Sequence, residues 1–213
     1  MSEDAHGHPL PDQEGSPDVS ATMRASTGPA GALGQGYDAV AKSFHWLVVA
    51  LLVAQYSTEF VLPYVLPKTA LDAAWHFSIG STILLVMLLR LTWRLTHAPP
   101  PPPATLSAGL RLLSRVTHGL LYAILIVLPL LGWTAASASG ATAYLLGLIP
   151  LPALVAKDKA LAEAVGSVHA AVALTLLALI ALHVAGALYH ALVKQDGVIR
   201  RMLPGREVSL HDR

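Results

Sequence analysis

Four long apolar segments dominate the hydrophobic pattern of the chain, and polar or proline-rich stretches connect them. Each segment is long enough for an α-helix that crosses about 30 Å of hydrocarbon, which needs about 20 residues. Asp38 and Asp158 precede the first and fourth segments and are suited to be helix N-caps. The pattern predicts an all-α membrane protein, a bundle of four transmembrane helices. The helices are expected at residues about 40–62, 70–95, 110–136 and 160–193.

Composition agrees with a membrane bundle. Hydrophobic residues make up 54% of the 213 residues and charged residues 13%, and the mean hydropathy is +0.56. Ordinary globular domains contain about a quarter charged residues. The chain has no cysteine, which excludes disulfides, thiolate zinc sites and cysteine-held iron–sulfur clusters within it. The net charge of +1 is too small to predict a protein that binds nucleic acid.

Two tails flank the membrane domain, which is expected over residues 37–204. Residues 1–36 are rich in Gly, Pro, Ser and Asp and have no apolar period, so we expect a disordered tail there and a second, short tail at 205–213. If the helices alternate in direction, eleven of the 14 Lys and Arg residues lie on the side of the tails, against three on the other side. This excess predicts that both termini are cytoplasmic.

Four histidines lie in the apolar segments at matched depths. His169 and His183 are 14 residues apart, so they leave the same face of the fourth helix about 21 Å apart along its axis. The first helix begins near His45 and the second near His76. With alternating directions, His45 lies at the depth of His183 near the cytoplasm, and His76 at the depth of His169 near the periplasm. We therefore expect two pairs between helices.

Ionisable side chains within the hydrocarbon are costly and indicate a functional site. A neutral histidine hydrogen-bonded between helices is the ordinary alternative, but it does not explain four residues in depth-matched pairs. A zinc site gathers three or four ligands around one point, which pairs about 21 Å apart cannot do. Haem needs only two axial ligands on opposite sides of a flat ring, and imidazole can be both. The pattern predicts two haem groups, which the resemblance described below identifies as haem b, one held by His45 and His183 and the other by His76 and His169. Small residues near these histidines suit a macrocycle as well as ordinary helix packing, among them Gly80, Gly166 and Gly186.

Four further residues are candidates for cofactor binding near the cytoplasmic end. Arg90 and Arg94 are four residues apart and could donate hydrogen bonds to haem propionates, although snorkelling toward the cytoplasm explains them equally well. His118 lies in the third helix, and His190 follows His183 by seven residues. Either histidine could contact a propionate or a quinone headgroup or carry protons, and an ordinary interfacial histidine is the alternative for each.

Short motifs occur in a definite order along the chain. They are Ser43-Phe44-His45-Trp46, His76, Arg90-Leu91-Thr92-Trp93-Arg94, His118-Gly119-Leu120-Leu121-Tyr122, His169, His183 and Lys194-Gln195-Asp196-Gly197-Val198-Ile199-Arg200-Arg201-Met202-Leu203-Pro204. Over residues about 37–204 this order resembles the bacterial cytochrome b561 family, four-helix di-haem cytochromes of the inner membrane. The long first tail is a departure from the compact members of that family.

The resemblance implies that the four paired histidines are haem ligands and that ubiquinone is one electron partner. Some members of the family resemble superoxide oxidases, which take an electron from superoxide at the periplasmic face and reduce quinone. We therefore expect a lipid-embedded oxidoreductase that carries electrons between a periplasmic donor, with superoxide as the first candidate, and ubiquinone. The alternative is a cytochrome b subunit that links a hydrogenase or dehydrogenase partner protein to the quinone pool. A third hypothesis is a haem-free transporter or scaffold.

Overall fold

The computed structural model describes residues 36–65, 70–101 and 106–204. Most of this part of the chain is in four long helices: α1 at Ala39–Phe60, α2 at Ala70–Thr96, α3 at Ala108–Ser139 and α4 at Lys159–Tyr189. Each contains a stretch that is long and apolar enough to cross a membrane. The prediction of four membrane-spanning helices is therefore confirmed. The predicted tails, apart from Gly36, lie outside the described residues.

The helix ends follow from local side-chain chemistry. Asp38 Oδ1 accepts a hydrogen bond from the Ala41 N–H at 2.8 Å, and Asp158 Oδ1 accepts one from the Leu161 N–H at 3.1 Å. Both predicted N-caps are therefore present, and they satisfy backbone donors that the start of a helix leaves free. Gly140 follows the last residue of α3 with a φ of 84°, a left-handed conformation that glycine adopts without strain.

The four helices pack in the order in which they follow one another along the chain. α2 packs against both α1 and α3, and α3 packs against α4. Within the part of the chain that the structure describes, the backbone of α4 approaches α1 and α2 much less closely. The hydroxyl of Tyr56 in α1 donates a hydrogen bond to the Ala173 carbonyl of α4 at 2.7 Å. Side chains therefore bridge a wider separation between α4 and these two helices.

A layer of apolar side chains fills the middle of the bundle. Met87 of α2 and Leu176 of α4 are each 1% exposed and are the largest fully buried side chains of the described residues. Leu176 is seven residues from both His169 and His183, and hence about 10 Å along the helix from each. The layer separates the two histidine levels of α4. Its other buried members are Val48, Ile83, Val86 and Leu125.

The connection between α3 and α4 forms a short antiparallel hairpin. Its strands are β1, Tyr144–Leu145, and β2, Ile149–Pro150. Leu146 and Gly147 turn the chain between them with φ values of 55° and 70°. The hydroxyl of Ser81 in α2 donates a hydrogen bond to the Tyr144 carbonyl at 2.8 Å. This contact holds the hairpin against α2 near the end of the bundle that contains His76, called the His76 end below.

The chain that follows α4 turns back onto the opposite end of the bundle, which contains His45 and is called the His45 end. A π-helical turn at His190–Lys194 and a 3₁₀ turn at Ile199–Arg201 follow α4. The indole Nε1 of Trp46 donates a hydrogen bond to the Met202 carbonyl at 2.8 Å, and the Tyr37 N–H donates one to the Arg201 carbonyl at 3.2 Å. The C-terminal segment is thereby fixed to the start of α1.

Candidate cofactor site

The four histidines of the apolar segments lie in two pairs. The ring centres of His45 in α1 and His183 in α4 are 6.3 Å apart. Those of His76 in α2 and His169 in α4 are 6.0 Å apart. All four side chains are partly buried. The structure therefore brings together the same partners that the sequence pattern predicts, one pair at each end of the bundle.

The distance within each pair matches two ligands of one metal ion. A metal–imidazole nitrogen bond is about 2 Å long, and the ring centre lies about 1 Å beyond the nitrogen, so two opposed imidazoles have centres about 6 Å apart. Each pair spans helices whose backbones are not closely packed together, α4 with α1 and α4 with α2. Among the described residues no three His, Asp or Glu side chains are placed to hold a metal ion together. Two imidazoles at each level are the donor set that a haem iron takes.

The backbone of α3 orients His169. Its Nδ1 lies 3.1 Å from the Leu128 carbonyl oxygen, so Nδ1–H is the donor and Nε2 is left as the nitrogen with a free lone pair. The ring lies directly against Gly132, where a Cβ would be only 3.0 Å from His169 Cε1. The absence of a side chain at Gly132 is therefore what admits the imidazole, and the sequence analysis did not predict this residue.

Three polar side chains of α1 surround His76. Gln55 Nε2 lies 2.9 Å from its Nδ1 and 3.0 Å from its Nε2, and Glu59 Oε1 lies 2.9 Å from Nδ1. Thr58 Oγ1 lies 3.3 Å from Nδ1. The sequence analysis missed these residues, although their spacing of three and four residues in an apolar helix is a signal for a shared polar face. They hold the ring of His76 in place beside His169.

The other pair has a third imidazole beside it. The ring centre of His118 in α3 is 5.2 Å from that of His183, and His118 Nδ1 lies 2.7 Å from the Ser114 carbonyl oxygen. In α2, Arg90 Nε donates a hydrogen bond to the Tyr122 hydroxyl at 2.9 Å. Four residues were predicted to bind the cofactor near the cytoplasmic end. Of these, His118 lies against the pair of His45 and His183.

The remaining two predicted residues have other surroundings. Arg94 is exposed near the end of α2. His190 is hydrogen-bonded to Asp196, with 2.7 Å between Nδ1 and Oδ2. Asp196 was not predicted as part of any site, because its contact with His190 depends on how the chain turns after α4.

Known proteins with similar sequences identify the family of the chain. Residues 36–205 match the family model for prokaryotic cytochrome b561. The chain is 27% identical over 170 residues to Cytochrome b561 homolog 2 of Escherichia coli K12, which covers 78% of this chain and 90% of that protein. It is 29% identical over 175 residues to Probable superoxide oxidase CybB of Yersinia pestis, which covers 79% of this chain and 96% of that protein. The chain therefore belongs to the prokaryotic cytochrome b561 family and is a multi-pass membrane cytochrome of the b-haem type.

Proposed function

We propose that this protein is a di-haem cytochrome b of the bacterial inner membrane that carries electrons from superoxide at the periplasmic face to ubiquinone. The observation that carries the proposal is the presence of two histidine pairs, at 6.3 and 6.0 Å, at opposite ends of one bundle. In this proposal, His45 and His183 would hold one haem, and His76 and His169 would hold the other. The haem supplies reversible one-electron redox chemistry.

The charge distribution supports a cytoplasmic position for the His45 end. Of the ten Lys and Arg residues that the structure describes, eight lie toward this end, and two, Lys157 and Lys159, lie toward the other. An excess of Lys and Arg in short loops is typical of the cytoplasmic side. In the proposed topology His45 and His183 are cytoplasmic, and His76 and His169 are periplasmic. The hairpin of β1 and β2 then lies on the periplasmic side.

The protein would contribute the histidine ligands of the haems and an apolar layer between them. If both imidazoles of each pair held the haem iron, no ligand position would remain for a small molecule, and this would favour electron transfer at the edge of the site over oxygen activation. The buried side chains of the layer between the pairs are apolar, Met87 and Leu176 among them. None of these buried side chains is titratable, so an electron that passes between the two pairs would cross an apolar layer.

The proposed reaction is tested by mixing superoxide with the purified cytochrome and a ubiquinone analogue in a stopped-flow instrument. We expect superoxide to disappear faster than by spontaneous dismutation, with one quinol formed for every two superoxide anions. Lys157 and Lys159 lie at the proposed periplasmic end and could attract the anion, although Asp158 and Glu163 beside them offset their positive charge. The control is the same protein prepared without haem. A decay no faster than the spontaneous one would exclude the superoxide reaction and favour a carrier subunit that takes electrons from a partner protein.

A second expectation concerns the Glu59 carboxylate beside His76. A carboxylate that accepts the Nδ1–H of a ligand imidazole makes the other nitrogen a stronger electron donor and stabilises the oxidised iron. Glu59→Gln should therefore raise the midpoint potential of one haem by roughly 30–60 mV, a three- to tenfold change in a one-electron equilibrium. The effect is moderate because the Glu59 side chain is 57% exposed. Potentiometric titration of both haems measures it.

Glu163→Gln is the matched control for Glu59→Gln. Glu163 also lies at the His76 end, and its carboxylate pairs with Lys159 at 3.7 Å instead of with a histidine. We expect both midpoint potentials of this variant to equal those of the unaltered protein. Equal shifts in the two variants would show that charge alone, and not the contact with His76, sets the potential.

A further inference from the structure

A second polar pair lies at the His45 end, and the proposed electron path does not use it. His190 Nδ1 and Asp196 Oδ2 are only 2.7 Å apart. Their side chains are 16% and 14% exposed. A histidine and a carboxylate therefore share a short hydrogen bond, mostly shielded from solvent, at the end of a membrane-spanning helix.

The backbone around this pair is shaped to form it. α4 widens into a π-helical turn that begins at His190, and such turns are frequent at functional sites. Gln195 and Gly197 have φ values of 50° and 72°, which reverse the chain so that Asp196 faces His190. Asp196 Oδ1 accepts a hydrogen bond from the Val198 N–H at 3.2 Å, which fixes the carboxylate.

Contacts farther along the C-terminal segment keep this arrangement in place. The Arg201 carbonyl accepts a hydrogen bond from the Tyr37 N–H, and the Met202 carbonyl accepts one from the indole of Trp46 in α1. The Arg201 guanidinium donates a further hydrogen bond to the Pro101 carbonyl at 2.7 Å. The segment that contains Asp196 is thus anchored at two other places, so the pair is held by the fold and not by its own hydrogen bond alone.

Helix termination alone does not explain the pair. Binding the Val198 N–H requires only Oδ1 of Asp196, whereas Oδ2 is turned to His190. A largely buried histidine–carboxylate pair adds little net stability, because the cost of desolvating its polar groups offsets their attraction. The geometry is that of a histidine positioned by a carboxylate, an arrangement that proton-transfer sites use.

The contact determines which nitrogen of His190 exchanges protons. Burial acts to raise the pKa of Asp196, but the hydrogen bonds from His190 and Val198 outweigh it and hold that pKa below its usual value. Asp196 is therefore ionised at neutral pH and accepts the Nδ1–H of His190. The other nitrogen, Nε2, is then the one that takes up and releases a proton. Within the described residues Nε2 has no hydrogen-bond partner.

The position of His190 relates it to the cytoplasmic histidine pair. It follows His183 by seven residues, so the two side chains leave α4 within about 20° of each other and about 10 Å apart along the axis. In the proposed topology His190 lies between the His45–His183 pair and the cytoplasm. The His190 imidazole is therefore on the same helix face as His183. Its ring centre is 5.9 Å from that of Tyr189.

We propose that His190, positioned by Asp196, donates the protons for a quinone that is reduced at the cytoplasmic end; this inference rests on the proposed function. Reduction of a quinone to a quinol consumes two electrons and two protons and forms two O–H bonds. The electrons come one at a time from the reduced cytochrome. Each proton leaves Nε2 of protonated His190, and a proton from cytoplasmic water replaces it. Asp196 stays ionised throughout.

The test compares two oxidants of the dithionite-reduced, haem-loaded full chain in a stopped-flow instrument. A short-chain ubiquinone analogue must take up protons, whereas ferricyanide takes electrons alone. We expect re-oxidation by the quinone to slow about 100-fold in His190→Gln and roughly tenfold in Asp196→Asn, which retains an acceptor for Val198. Proton uptake, followed with a pH-indicator dye, should slow by the same factors. Re-oxidation by ferricyanide, both midpoint potentials and the absorption spectrum should be unchanged.

His97→Gln is the matched control, and we expect it to behave as the unaltered protein with both oxidants. His97 is an exposed histidine at the same end of the bundle, stacked on Trp93 with ring centres 3.7 Å apart. Equal quinone rates in His190→Gln and the unaltered protein would overturn the proton-donor role alone. Equal slowing with quinone and ferricyanide would also overturn it, since the residue would then act on the haem or the fold. Failure of the unaltered protein to react with quinone would instead overturn the proposed function, and this inference with it.

Discussion

Replacing His45 or His183 by alanine should remove one haem and leave the other in place. The two residues form the pair at the His45 end, and the second pair, His76 and His169, lies beyond an apolar layer about 20 Å away along α4. A haem with one axial histidine removed loses half of its protein ligation, whereas the distant pair keeps both of its ligands. His76→Ala or His169→Ala should produce the reverse loss.

The ratio of haem to protein in the purified variants measures this expectation. It should fall from two to about one in each of the four variants, and a redox titration should lose one component, the same one for both members of a pair. His118→Ala is the matched control, because its ring centre is only 5.2 Å from that of His183 although it belongs to neither pair. It should retain two haems. Loss of both haems from every variant that keeps its helical content would contradict the pairing.

A side chain at Gly132 should displace His169 and weaken haem binding at the site that we propose for His76 and His169. A Cβ at this position would lie 3.0 Å from His169 Cε1 and 3.3 Å from its Nδ1, closer than side chains ordinarily pack. Overpacking of this kind costs about 1–3 kcal/mol. Gly132→Ala should therefore reduce haem affinity at this site roughly tenfold, and Gly132→Leu should abolish binding there, because the larger side chain occupies the volume of the imidazole.

Gly119 provides the control within the same helix. An added Cβ there has no neighbour within 4 Å among the described residues, so Gly119→Ala should keep both haems and gain helix propensity worth up to about 1 kcal/mol. Haem titration into the haem-depleted proteins compares the two variants. Equal haem losses from Gly119→Ala and Gly132→Ala would mean that any added side chain in α3 disturbs the bundle. The proposed contact with His169 would then not be the cause.

The paired histidines could be predicted because simple periodicities determine their positions. The 14-residue spacing of His169 and His183 fixes a common helix face, and the alternation of helix direction fixes the depth of His45 and His76. Neither step requires knowledge of side-chain packing. The N-caps at Asp38 and Asp158 could also be predicted, because an N-cap depends only on residues within one helical turn.

Contacts between helices could not be predicted in the same way. Gln55 and Glu59 meet His76 only through the axial offset of α1 against α2, which no single-helix pattern specifies. Gly166 and Gly186 were expected to leave room for a macrocycle, and an added Cβ at either has no neighbour within 4 Å among the described residues. The glycine that contacts an imidazole is Gly132, on a helix that carries neither histidine pair.

The distance between the two histidine levels also makes the protein sensitive to membrane voltage. An electron that moves about 21 Å along α4 crosses about two thirds of a hydrocarbon layer about 30 Å thick. A potential of 100 mV, negative inside, therefore opposes this movement by about 1.5 kcal/mol, more than a tenfold change in the equilibrium between the two sites. The buried side chains between the two levels, Leu176 among them, are apolar. With the proposed function and topology, the membrane potential would thus hold an inward-moving electron back at the outer site and slow the reduction of quinone.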